Sequence, residues 1–162
     1  MIKILIVYYS LTGNTQFIAE TLRDSIEADV LELKPIKELK ADSGTRFMWG
    51  GYQSTMKKKP KLMDFDINPL EYDLIILGTP VWAWTFSPPM RSFLSKFDFT
   101  GKRVALWMSH AGDGIKAMIR FKEALKSANI VESISFQDPL KKDPDENKEK
   151  AIAWIKGVVK EV

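Results

Sequence analysis

Three short stretches of this chain are almost continuously apolar: residues 4–9 (ILIVYY), 74–77 (LIIL) and 104–108 (VALWM). Runs of that length, bounded by turn residues, fit strands buried on both faces. Two others alternate in polarity, Val30-Leu31-Glu32-Leu33 and Val131-Glu132-Ser133-Ile134-Ser135-Phe136, as strands with one wetter face do. Helical periodicity fills the gaps. Ile18, Leu22 and Ile26 recur every four residues, and Met90, Phe93, Leu94 and Phe97 keep an i, i+3, i+4, i+7 pattern with Ser87 as cap and proline in the first turn. Ile115, Met118, Ile119 and Leu125 mark the apolar side of a helix capped by Asp113, and Ile152, Ile155, Val158, Val159 and Val162 line a terminal one.

Strands alternating with helices require right-handed crossovers and parallel pairing, hence an α/β fold: an open parallel five-stranded sheet with helices on both faces. Placing the two wetter strands at the edges orders it 2-1-3-4-5, with a switch point between the first and third strands. Ligands of such sheets sit at the carboxyl ends of the strands flanking that point. Two loops are thereby singled out, residues 10–15 and 79–85. The chain of 162 residues reads as a single domain, residues 1–162.

Composition narrows the chemistry. Hydrophobic residues at 45% and charged residues at 28% describe a globular chain, not a disordered one. The absence of cysteine removes disulfides, thiolate metal sites and a cysteine nucleophile, and one histidine argues against a multi-histidine metal centre. No metal is expected. Residues 74–90 are too interrupted by Gly78, Pro80 and paired prolines for membrane insertion, and residues 4–9 are too short for a signal-peptide core, so a cytoplasmic location is the expectation. Lys and Arg total 24 against 21 Asp and Glu, a net charge of +3. The densest basic run, residues 57–61, is broken by Pro60 and reads as a solvated loop; no nucleic-acid partner is expected. The acids Asp64, Asp66, Glu71 and Asp73 read as a solvated stretch, and Phe47, Met48, Trp49, Gly50, Gly51 and Tyr52 as a crossover helix or an aromatic flap.

The loop Ser10-Leu11-Thr12-Gly13-Asn14-Thr15 joins a buried strand to an amphipathic helix. Its hydroxyls, the Asn14 amide and the first-turn backbone N–H groups collect at a helix N-terminus, with Gly13 allowing close approach, so the loop suits an anion without using a cation. On its own it is also compatible with a Ser/Thr-rich helix cap. It lacks the lysine of a nucleotide-hydrolysing P-loop and the three glycines of a dinucleotide fingerprint. The second loop, Thr79-Pro80-Val81-Trp82-Ala83-Trp84-Thr85, presents two indoles beside it, either as a face for a flat aromatic ligand or as core packing.

The run Ile6-Val7-Tyr8-Tyr9-Ser10-Leu11-Thr12-Gly13-Asn14-Thr15, continued by Ala19 and Leu22, resembles the strand, phosphate loop and helix of the flavodoxin family. The run from Tyr72 through Leu77, Gly78, Thr79, Pro80, Val81 and Trp82, followed by Pro88-Pro89-Met90-Arg91-Ser92-Phe93-Leu94, is similar to that family's second flavin loop and next helix. The resemblance spans essentially the whole chain. It implies noncovalent FMN, with Ser10, Leu11, Thr12, Gly13, Asn14 and Thr15 around the phosphate. Pro80, Val81, Trp82, Ala83 and Trp84 would wrap the isoalloxazine, Trp82 stacking on it. Ser109, His110 and Gly112, in the loop 109–114, would approach the pyrimidine edge.

Three departures from the family pattern bear on function: the charge balance is basic where electron-carrier flavodoxins are usually acidic, the third loop carries no aromatic, and Ala83 stands where glycine would make a peptide flip easiest. No catalytic side chain is singled out. The resemblance implies an electron carrier passing electrons between redox partner proteins. The alternatives are a small FMN-dependent oxidoreductase of NAD(P)H or quinone, which an uncovered flavin face would suit, and a non-redox interaction scaffold on the same fold.

Overall fold

The computed structural model describes residues 1–37 and 58–162. The aromatic run at residues 47–52, and Lys57 of the basic run, lie outside them. Among the described residues the chain forms strand β1 (Ile4–Tyr8), helix α1 (Asn14–Ser25), β2 (Asp29–Glu32), a single 3-10 turn (Pro69–Glu71), β3 (Leu74–Trp82), β4 (Thr85–Phe86), α2 (Pro88–Ser95), β5 (Arg103–His110), α3 (Ile115–Ala124), β6 (Asn129–Gln137) and α4 (Pro144–Lys160).

The sheet runs β2-β1-β3-β5-β6, all neighbours parallel, with β4 folded back antiparallel on the end of β3. This is the expected 2-1-3-4-5 order once the two-residue β4 is set aside; β4 itself was not anticipated. Alternate residues of the central strands face opposite sides, as the near-continuous apolar runs require. Leu5, Val7, Ile75, Leu77, Val104, Leu106 and Met108 pack with Met90 and Phe93 of α2 and Phe121 of α3. Ile4, Ile6, Tyr8, Leu74, Ile76, Ala105 and Trp107 pack on the other side with Ile18 and Leu22 of α1 and Ile155 and Val158 of α4. Each large side chain so buried contributes about 1.5–3 kcal/mol.

Helix α3 departs from its expected face. Ala117, Phe121 and Leu125 are buried, but Ile115 and Ile119 stand 68% and 62% exposed. Only the stripe of Ala117, Phe121 and Leu125 joins the core, while Ile115 and Ile119 line an open groove between the helix and β6. Asp113 does serve its N-terminus, its Oδ1 accepting from the Ile115 amide at 2.8 Å. Lys58, Lys59 and Lys61 are exposed, as are Asp64, Asp66, Glu71 and Asp73. The long connection after β2 is closed at its ends by an antiparallel bridge between Pro35 and Leu62, with the Ile36 amide donating to the Lys61 carbonyl at 2.9 Å.

Candidate functional site

Register alone brings three loops to one place. Tyr8 pairs with Gly78 and Pro80 with Ser109, so the segments following β1, β3 and β5 leave the same edge of the sheet side by side. The expected site residues are therefore neighbours in groups. The first loop enters α1 through Gly13 at φ +99°, a conformation that glycine takes without strain. The Gly13 amide donates to Ser10 Oγ at 3.2 Å, which leaves the Ser10 hydroxyl proton free to donate outward. Asn14 Oδ1 accepts from the Leu140 amide at 3.1 Å, keeping the Asn14 amide group as a donor. Thr15 is buried to 1% exposure, and its Oγ1 has no hydrogen-bond partner among the described residues. Thr12 is exposed and Leu11 packs partly against the core.

The second loop is a tight hairpin. Val81 pairs with Phe86 and Trp82 with Thr85, leaving Ala83 and Trp84 as the two turn residues, at φ +48° and +60°. Two successive positive φ values are the type I′ pattern, whose twist suits a hairpin but which favours Asn-Gly. An alanine and a tryptophan there store strain, at about 1–2 kcal/mol per left-handed residue. The stem is pinned from below. Thr79 Oγ1 accepts from the Ser87 amide at 2.9 Å and also lies 2.9 Å from Ser87 Oγ, so the serine at the start of α2 is tied to β3 rather than to its own helix. Trp82 is partly buried and meets Tyr9 edge to face, ring centres 5.6 Å apart at 86°. Trp84 is 65% exposed, which excludes it from the core.

At the third loop Ser109 is buried, and among the described residues neither its Oγ nor the buried Nδ1 of His110 has a hydrogen-bond partner. The His110 ring lies against Gly114, where a Cβ would come within 2.8 Å of its Cδ2; glycine is what lets the ring rest at the start of α3. Nothing lies within 4 Å of a Cβ built on Gly112, so that position is open. An open groove of about 510 Å³ adjoins this loop between α3 and β6, lined by His110, Gly114, Ile115, Met118, Ile119 and Ser135. It includes no residue of the first loop.

Orphaned buried oxygen and nitrogen atoms are costly, on the order of 1–3 kcal/mol each, and cluster where a ligand supplies the missing partner. Thr15 Oγ1 at the first loop, with Ser109 Oγ and His110 Nδ1 at the third, are such atoms. Uncharged donors at a helix start suit a phosphate ester, and Trp82 beside them offers an apolar face. The residues present fit the FMN that the sequence implies. Sequence reasoning missed Arg91 and Arg120. Arg91 Nη2 reaches Thr85 Oγ1 at 3.2 Å, and Arg120 Nη1 reaches the Trp84 carbonyl at 3.0 Å. The second contact joins residues 36 apart in sequence, and no local spacing announces it.

The family model described as flavodoxin matches residues 3–157. Among solved structures, the flavoprotein of Lactobacillus acidophilus NCFM in complex with FMN is 25% identical, with 88% of this chain and 98% of that one covered and a TM-score of 0.74. Oxidised flavodoxin 2 of Bacillus cereus shares the fold at 24% identity, 99% coverage of both chains and a TM-score of 0.64. A curated protein of Archaeoglobus fulgidus named NAD(P)H dehydrogenase (quinone) is 28% identical over 134 residues, 70% of this chain; the match spans 58% of that relative's length. With the family model covering nearly the whole chain, and the strand order, first loop and hairpin in place, this chain belongs to the flavodoxin family.

Proposed function

We propose that the protein binds FMN noncovalently at the three loops and uses it to transfer electrons. The observation that carries this reading is that, of the buried polar atoms without a partner among the described residues, Thr15 Oγ1, Ser109 Oγ and His110 Nδ1 lie where the loop after β1 enters α1 and at the carboxyl end of β5. The L. acidophilus flavoprotein, similar over 88% of this chain, was solved with FMN. Bound FMN supplies electron transfer in one- or two-electron steps; the chain supplies position and electrostatics. Ser10, Thr12, Asn14, Thr15 and the first-turn amides of α1 hold the phosphate through dipoles. Trp82, fixed by Tyr9, covers part of the ring system, and the backbone of residues 80–84 borders it. Ser109, His110 and the open position at Gly112 line the remaining edge.

Two redox roles use this arrangement. A carrier exchanges electrons with partner proteins through the exposed ring edge. An oxidoreductase accepts them from NAD(P)H and passes them to a quinone, a reading favoured by the name of the A. fulgidus relative and by a third loop without an aromatic to cover the second face. The visible spectrum of the purified protein, followed by anaerobic mixing with NADPH, separates them. A yellow protein that NADPH does not bleach is a carrier; rapid bleaching makes it an oxidoreductase. A colourless protein that cannot be reconstituted with FMN overturns both.

A further inference from the structure

Two guanidinium groups converge on one dipeptide of the second loop. Arg91, from α2, donates to Thr85 Oγ1 at 3.2 Å, and Arg120, from α3, donates to the Trp84 carbonyl at 3.0 Å. Neither makes an ion pair among the described residues, where the charge pairs are Arg23–Asp24, Lys34–Glu32 and Lys126–Glu123. The Arg91 guanidinium carbon lies over the Phe86 ring, 4.1 Å from its centre, and Phe86 in turn stacks on Phe121 at 5.2 Å. The guanidinium is therefore held both by Thr85 and over Phe86, and among the described residues the buried Arg91 Nε has no acceptor. Burial and the facing Arg120 both pull the Arg91 pKa below its usual value, the direction expected of a cation lacking a counter-charge.

A half-buried cation beside a second one, with donors left over on both, is an arrangement that an oxyanion completes. We infer that Arg91 and Arg120 form an anion-binding subsite at the Trp84–Thr85 turn, taking a phosphate or carboxylate group carried by the small molecule that exchanges electrons at this site. The inference rests on the redox reading for its meaning, since it places the substrate's charged end next to the loop that borders the ring. It favours a compact anion over an acidic protein surface because Arg91 is partly buried and only Arg120 is exposed.

The test is calorimetric titration of the FMN-loaded protein with inorganic phosphate and separately with succinate, at constant ionic strength set with chloride. FMN occupies the first loop and removes it as a competing phosphate site. Saturable binding of either anion that weakens at least about tenfold in Arg120→Gln, with an unchanged melting temperature, supports the subsite. Phosphate alone, or succinate alone, identifies which group the subsite takes. Arg91→Lys, which keeps the charge but loses the planar fork, should weaken binding as well. Absence of saturable binding, equal binding in wild type and Arg120→Gln, or binding of poly-glutamate with neither small anion overturns the inference. If the chain does not take up FMN, the redox reading falls separately, and the Arg120→Gln difference on the protein as purified still decides this one.

Discussion

The loop that opens α1 and the hairpin that ends β3 lie side by side on the sheet, yet they treat charge and backbone in opposite ways. The first has no cation and little strain: its one positive φ falls on Gly13, and its donors are hydroxyls and amides. The second places positive φ on Ala83 and Trp84 and is gripped by two arginines. Dipoles fixed in a helix start hold an anion at short range without a field that extends into solvent, whereas guanidinium groups at a surface turn act over about a Debye length, near 8 Å at physiological salt. The division suits a resident group kept in place by the first loop and a visiting one guided by the second.

The sharpest way to break the first half of that comparison is Thr12→Ala combined with Thr15→Ala. Two hydrogen bonds to a charged phosphate are worth about 3–6 kcal/mol, so FMN affinity, followed by quenching of its fluorescence, should fall by roughly two to four orders of magnitude. Unchanged affinity would move the phosphate elsewhere. Gly78→Ala attacks the floor beneath both loops: a Cβ there runs into the ring of Trp107, which is fully buried on the paired strand. Overpacking of that kind costs about 1–3 kcal/mol, and the midpoint of urea unfolding should drop accordingly.

Trp82→Ala should weaken FMN while leaving the phosphate loop intact; the loss of aromatic stacking alone, about 0.5–1.5 kcal/mol, predicts roughly a 2- to 12-fold rise in the dissociation constant. Smallest, and of opposite sign, is Ala83→Gly. Relief of the left-handed strain outweighs the added freedom of the unfolded chain and should raise stability by about 0.5–1 kcal/mol, read as a higher melting temperature. A lower one would show that the turn is not strained at Ala83.

Much of this architecture could be read from the chain because its determinants are local. The apolar runs of β1, β3 and β5 could only be strands buried on two faces, and the wetter pattern of residues 30–33 and 131–136 placed them at the edges. The first loop was legible for the same reason, its helix start and donors being consecutive. The hairpin was not. Ala83-Trp84 carries none of the Asn-Gly chemistry that announces a type I′ turn, and what pins its stem is the buried Thr79–Ser87 contact, between residues eight apart in sequence. Ile115 and Ile119 misled for a related reason: periodicity says which face of α3 is apolar, but not that an open groove lies between that face and β6.

The hydrogen bond from the Leu140 amide to Asn14 spans 126 positions. It ties the start of the first helix to the segment that leads into the last, whose own inner face rests on the first helix through Ile155 and Val158. The proposed cradle for a phosphate is therefore finished only once α4 has docked on α1. A change in α4 that loosens this contact should therefore be felt at the opposite end of the sequence, as weaker hold on FMN.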